Sequence, residues 1–320
     1  MEQHEIQLLI EQLHCELIAH NEGQVATYIP ELGKANPDHF GICLMTADGR
    51  TFQVGACDQP FTIQSISKPF TFGMAIAELG HDRVFERVGV EPSGDTFNSI
   101  QLQSGTNKPY NPMINSGAIT VTALLHSLHG DHAFEHILDC FSAAAGRQLS
   151  MDESVYQSES RTGHRNRAIT YLLLNFGMVH EEAEAALDLY FKQCSILVTC
   201  RDLAAMAATL SNMGQSPHSG KQVFEIRSVK DMLSIMFTCG MYDYSGQWAY
   251  EVGVPAKSGV SGGVLAVVNR QLGIATYSPR LDSHGNSSRG IKVCTELANR
   301  LGLHAFEFSN VGSGYLDVVL

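Results

Sequence analysis

The sequence predicts an α+β fold in which one antiparallel sheet is assembled from strands near both ends of the chain. Three observations carry this. Residues 39–45 and 51–55 have strand character and flank Asp48-Gly49, a dipeptide that favours a tight hairpin turn. Strand character returns at 263–269 and 272–278, joined by Arg270-Gln271. Between the two pairs, residues 80–240 read mainly as helix, so the terminal strands must share a sheet if there is one core. No alternating strand–helix rhythm is present, which disfavours a doubly wound sheet or an eight-fold barrel.

The elements follow in order. Ile6, Leu9, Ile10, Leu13 and Leu17 recur at helical spacing and stop near Asn21-Glu22-Gly23, giving an N-terminal helix over about 5–20. Helical spacing resumes at Ser65 and runs through Phe70, Met74 and Ile76. Stretches 119–128, 133–145 and 181–193 each suit a helix. Thr199 with Asp202 forms a capping box opening a helix that Gly214 closes. A last helix covers about 285–302, and a short tail follows. With no repeat and no low-complexity linker, one domain over 1–320 is expected. It would have a mixed lobe at about 23–80 and 240–304 and a helical lobe at about 81–239.

Composition narrows the function. The chain is 44% hydrophobic and 17% charged, as suits a globular enzyme. A formal charge of −12 repels phosphate backbones and anionic lipids, so nucleic-acid and membrane roles are set aside. No run of 18 apolar residues could span a bilayer. The start, Met1-Glu2-Gln3-His4-Glu5, is acidic where a secretory signal is basic. Eight scattered cysteines (15, 43, 57, 140, 194, 200, 239 and 294) contain no C-x-x-C pair and read as reduced, mostly buried thiols. A cytoplasmic location is the expectation.

Ser65-Ile66-Ser67-Lys68 is an S-x-x-K sequence. On a helix the i and i+3 side chains share a face, so the lysine amine can reach the serine hydroxyl. A desolvated lysine can lose its proton and activate that hydroxyl as a nucleophile. Pro69 belongs near a helix start, which puts Ser65 close to the N-terminal end, where the dipole favours developing negative charge. Alone, the motif occurs readily by chance. Lys257-Ser258-Gly259, entering a strand, matches the distal motif of penicillin-recognising serine enzymes, although an ordinary turn fits too. Residues 259–263 also spell G-x-S-x-G, but the helix that a nucleophile elbow on Ser261 requires is missing. His126, His129, His132 and His136 straddle a break at Gly130-Asp131, so they cannot all share a face and read as surface histidines rather than a metal site.

Seven blocks in sequence order then resemble the serine-dependent glutaminase family, which has a β-lactamase/transpeptidase-like fold. They are 23–30 (GQVATYIP), 64–69 (QSISKP), 111–119 (NPMINSGAI), 158–166 (SESRTGHRN), 190–200 (YFKQCSILVTC), 239–246 (CGMYDYSG) and 256–263 (AKSGVSGG). The resemblance implies Ser65 as nucleophile, Lys68 as its activating partner and Tyr242 as proton relay. It implies Asn115, Glu159, Asn166, Tyr190, Tyr242 and Val260 as substrate-binding positions, with Tyr28 at the pocket mouth. It also implies L-glutamine as substrate, no metal or organic cofactor, and a homodimer or homotetramer. Glu159 would meet the substrate ammonium, while Asn115, Asn166 and Tyr190 donate to its carboxylate. Without the family, Glu159 would read as a loop carboxylate paired with Arg161 or Arg165. The middle [Ser/Tyr]-x-Asn motif of penicillin-recognising enzymes is absent between Lys68 and Lys257. Two alternatives stay open: another serine acyl-enzyme of β-lactamase or esterase type, and a non-catalytic amino-acid sensor.

Overall fold

Strands from both ends of the chain do meet in one sheet. The computed structural model describes residues 3–94, 99–180 and 182–307. In chain order the elements begin with α1 (Gln3–Leu17), β1 (Gly41–Thr46), β2 (Thr51–Gly55), β3 (Phe61–Thr62), α2 (Ser67–Phe85), α3 (Asn115–His129) and α4 (Ala133–Ala145). The middle continues with β4 (Ser150–Met151), α5 (Glu153–Thr162), α6 (His164–Asn175), α7 (Ala183–Cys194), β5 (Ile196–Val198) and α8 (Cys200–Ser211). Last come α9 (Ile226–Cys239), α10 (Ser245–Glu251), β6 (Ala256–Ser258), β7 (Gly263–Val268), β8 (Leu272–Tyr277) and α11 (Ser288–Leu301).

The main sheet has the order β2-β1-β8-β7-β6, antiparallel throughout. Period-two alternation divides its side chains between two cores. Ile42, Leu44, Val264, Ala266, Leu272 and Ile274 face α1 and α11, packing with Ile10, Leu13, Val293 and Leu297. Cys43, Met45, Leu265, Val267 and Ala275 face the helical middle, packing with residues of α2, α8 and α9. Both faces are therefore covered, and β1, β7 and β8 are buried along their whole length. A smaller sheet, β3-β5-β4, lies beside the start of α2. Its backbone continues into the next turn, where Ile63 N donates to Ile196 O at 2.8 Å. That bond anchors the chain two residues before Ser65.

Most expected elements are present. The capping box forms between Thr199 and Asp202, and Gly214 closes the segment after α8 by donating to Thr209 O. The expected helix over 181–193 is seen as Ala183–Cys194, and Glu181 lies outside the described residues, as does the tail from 308. Four helices were not singled out: α5, α6, α9 and α10. Ser261 sits in the turn between β6 and β7, and β7 runs into a hairpin with β8, so no nucleophile elbow forms. All eight cysteines are free, and six are buried. No described helix is long and apolar enough to cross a membrane.

The contact between β8 and α8 depends on small residues. A Cβ on Gly273 would stand 2.4 Å from Ala208 N and 2.5 Å from Ala207 Cβ. Neither is the end of a flexible side chain, so the helix must move. Gly273→Val should lower unfolding stability by about 2–3 kcal/mol, as overpacked cores do. Thermal or denaturant unfolding would measure it, and an unchanged midpoint would mean that α8 does not rest on this strand.

Candidate active site

Ser65 lies in a 3-10 turn, Gln64–Ile66, that runs directly into α2. In such a turn positions i and i+3 eclipse, so Ser65 and Lys68 lie on one side, as the S-x-x-K spacing predicts. Residues Ser67 to Ile76 are buried on every side, which makes α2 a central helix rather than an amphipathic surface one. Entry into the turn is strained: Gln64 has φ +50, a left-handed conformation that non-glycine residues seldom adopt. Tyr242 has φ +59. Two of the five such residues described thus flank one hydroxyl, because Tyr242 hydrogen-bonds to Ser65.

Lys68 is buried, with Nζ 2.7 Å from Asn115 Oδ1 and 3.1 Å from Met113 O. Lys257, on β6, is buried too and donates to Gly240 O and Ser258 O, both at 2.8 Å. Two acceptors satisfy the two N–H groups of a neutral amine and leave its lone pair available. The electrostatics agree. Burial pushes Lys68 down to about 8, against the opposing pull of Cys194 and Glu159. Lys257 is held well below its ordinary value, by burial first and by the charge of Lys68 second. Its Nζ also lies 4.1 Å from the centre of the Tyr242 ring. Tyr242 Oη donates to Ser258 O at 3.0 Å, and burial raises its pKa. Hence Ser65, Tyr242, Ser258 and Lys257 form one buried polar chain.

A cavity of about 260 Å³ opens above Ser65, lined by Tyr28, Gln64, Asn115, Glu159, Asn166 and Tyr190 among others. Asn115 opens α3 and ties the cavity together. Its Oδ1 also accepts from Tyr190 Oη at 3.3 Å, and its Nδ2 donates to Asn166 Oδ1 at 2.9 Å. Glu159 is 5% exposed, and its hydrogen-bond partner is Gln64 Nε2 at 3.5 Å. Burial pushes its carboxyl up to about 8, opposed by Gln64 and by the charge of Lys68. Pairing with Arg161 is not what the structure shows, since Arg161 donates to Gln157. Tyr28 is 55% exposed, at the mouth. Val260 does not line the cavity. It packs with Ile29, a lining residue, and borders two neighbouring grooves. A larger groove of about 380 Å³ lies beyond Val260 and Ser261, but neither Ser65 nor Lys68 lines it.

Sequence reasoning missed Ile29, Gln64, Thr162, Gly163 and Arg165 as lining residues, although all lie in the quoted blocks.

With this geometry in place, comparison with known proteins is decisive. The family profile for glutaminase matches residues 23–306. The chain belongs to the glutaminase family. It is 53% identical over 306 residues to a glutaminase of Trichormus variabilis, covering 96% of this chain and 92% of that one. It is 46% identical to glutaminase 2 of Clostridium perfringens over 287 residues, covering 89% and 94%. Among solved structures, the probable glutaminase ybaS superposes with a TM-score of 0.91 at 36% identity, covering 96% of this chain and all of that one. Mglu in its tris and glutamate form gives 0.92 at 40% identity, covering 97% and 69%. The β-lactamase-like fold expected from the resemblance is therefore the fold observed.

The raised Glu159 pKa makes a stability prediction in this family member. The folded carboxyl keeps its proton to about pH 8, whereas an unfolded one ionises near 4.5. The stabilising contribution is complete below the unfolded value and is lost as pH rises toward the folded one. Each pH unit in that window is worth about 1.4 kcal/mol, so the loss amounts to a few kcal/mol. Glu159→Gln should therefore gain stability over the parent between about pH 5 and pH 8. Unfolding midpoints across that range would check it, and a constant difference would show that Glu159 ionises normally.

Proposed function

We propose that the chain hydrolyses the side-chain amide of L-glutamine to L-glutamate and ammonia through an acyl-enzyme on Ser65. The observation that carries this reading is a buried carboxyl, Glu159, in the same cavity as an S-x-x-K serine whose lysine has burial-lowered basicity. A free amino acid brings the ammonium that Glu159 lacks. Asn115, Asn166 and Tyr190 sit together where they can meet its carboxylate. The glutamate form of Mglu, a relative at 40% identity, is consistent with an amino acid in this cavity.

In the first step Lys68 takes the Ser65 proton as Oγ attacks the amide carbon. Backbone N–H groups of Ser65 and Val260 hold the oxyanion, each such donor being worth about 10²–10³ in rate. Tyr242, hydrogen-bonded to Ser65, passes a proton to the leaving nitrogen, the C–N bond breaks and ammonia departs. Water then attacks the γ-glutamyl ester by the reverse proton route, releasing glutamate and restoring Ser65. Val260 supports the pocket through its packing on Ile29, and Tyr28 covers its mouth. Acyl transfer by these side chains calls for no organic or metal cofactor. The same reading takes the chain as one domain of two lobes, cytoplasmic, and active as a homodimer or homotetramer.

Ammonia release from glutamine tests this directly. Ser65→Ala and Lys68→Arg should each lose at least about 10³-fold in kcat, since guanidinium stays protonated and cannot act as the base. Ser261→Ala should keep most activity. Activity should rise from neutral to alkaline pH with a limb near 8, as Lys68 sheds its proton. A Ser65→Ala protein working near the parent rate would overturn the mechanism. Equal kcat/KM for glutamine and N-acetylglutamine would overturn the ammonium clamp and the substrate assignment with it.

A further inference from the structure

The four histidines at 126–136 resolve differently from the sequence reading. His126 turns away to Glu182, at 3.2 Å. His129 ends α3 and His136 lies in the first turns of α4, and the reversal at Gly130–His132 folds them toward each other. Their rings lie at 35° to each other with centroids 4.1 Å apart. Between them comes Glu78 of α2, with Oε2 2.6 Å from His129 Nε2 and Oε1 2.7 Å from His136 Nε2. One nitrogen from each imidazole and one carboxylate oxygen lie within 4.8 Å of one another.

We propose that Glu78, His129 and His136 form a binding site for a zinc-class divalent cation that fastens α2, α3 and α4 together. Two imidazoles and a carboxylate are the donor set of borderline metals such as zinc, cobalt and nickel, and too nitrogen-rich for magnesium or calcium. Ligand atoms about 2.0–2.1 Å from a tetrahedral ion stand about 3.3 Å apart. The carboxylate–imidazole contacts are shorter than that, so the ion enters by replacing the shared hydrogen atoms, with each imidazole switching to its other tautomer. Side chains of Glu78 and His129 are 25% exposed and that of His136 is 41% exposed, which leaves an open entry path and room for water as the remaining ligand.

The site is structural rather than catalytic. Glu78 lies ten residues beyond Lys68 on α2, about 15 Å along the helix axis. His129 stands at the opposite end of α3 from Asn115. The ion would therefore clamp the far ends of the two helices whose near ends carry the Lys68–Asn115 bond. Cys140, one turn beyond His136, is not counted among the ligands. The donor atoms that lie within 4.8 Å of one another are those of Glu78, His129 and His136 alone.

The test is titration of the purified full chain with zinc chloride in a non-chelating buffer, following the unfolding midpoint, and with cobalt chloride, following visible absorption. The parent should bind one equivalent, and a hundredfold excess over Kd should raise the midpoint by about 4 °C. Tetrahedral cobalt bands should appear. His129→Ala, His136→Ala and Glu78→Gln should each lose both responses, each judged against its own metal-free midpoint. His132→Ala and Cys15→Ser should keep them, since His132 and Cys15 are exposed and outside the set. Absence of saturable binding by the parent, or a response that survives in His129→Ala and His136→Ala, would overturn the site.

Discussion

Two buried lysine amines, Lys68 one helical turn after Ser65 and Lys257 on β6, are the constraint from which the rest of the structure follows. Neither Lys68 nor Lys257 can keep a full hydration shell, and a buried ammonium without partners is among the costliest groups a fold can hold. The structure meets the cost with two acceptors per amine. Those acceptors come from remote stretches: Met113 O and Asn115 before and at the start of α3, Gly240 O after α9, and Ser258 O on β6. Helical middle and sheet edge must therefore converge within hydrogen-bonding distance. Gly240 shows how tightly they do so, since a Cβ there would lie 1.7 Å from Ala256 O. No side chain fits, and the carbonyl that Lys257 needs would be driven away.

Strain gathers at the same place for the same reason. Gln64 and Tyr242 both hold positive φ, each at a cost of about 1–2 kcal/mol. Released from it, neither Ser65 nor the Tyr242 phenol would face the other. Tertiary packing holds them: Ile63 is tied to β5 on one side, and Met241 N to Ser245 Oγ on the other. Stability elsewhere, in the doubly covered sheet and the all-buried α2, is what lets a costly local geometry persist.

How much of this was legible follows from separation along the chain. Period-two stretches gave the β1–β2 and β7–β8 hairpins, and the helical middle between them required that the two pairs meet. Short-range chemistry was equally readable: Ser65 with Lys68, and Thr199 with Asp202. The small sheet was not, because two- or three-residue strands carry no period. Helix α5 was missed because only Val155 and Glu159 of its ten residues are buried, so it has no apolar stripe. Long-range partners were hidden for a different reason. Nothing local says that Lys68 will meet Asn115, 47 residues on, or that Glu159 will be buried beside Gln64, 95 residues before it. The break at Gly130 was read correctly as a break, yet its effect is to bring His129 and His136 together. The family blocks supplied the cavity residues that periodicity could not.

The electrostatics of Glu159 and Lys68 also bear on when the serine becomes reactive. The negative charge of Glu159 is one of the influences that hold the proton on Lys68, and the charge of Lys68 in turn favours ionised Glu159. On the proposed reading, an arriving ammonium sits against Glu159, favours its ionised form and takes the place of the proton that burial holds there. The pair so formed is neutral overall, as the protonated carboxyl was, so Lys68 keeps the burial-lowered basicity that lets it take the serine proton. An amide-bearing molecule without a free ammonium would leave Glu159 holding its own proton and would lack the contact that fixes its amide over Ser65. Recognition and positioning of the amide therefore depend on one carboxylate.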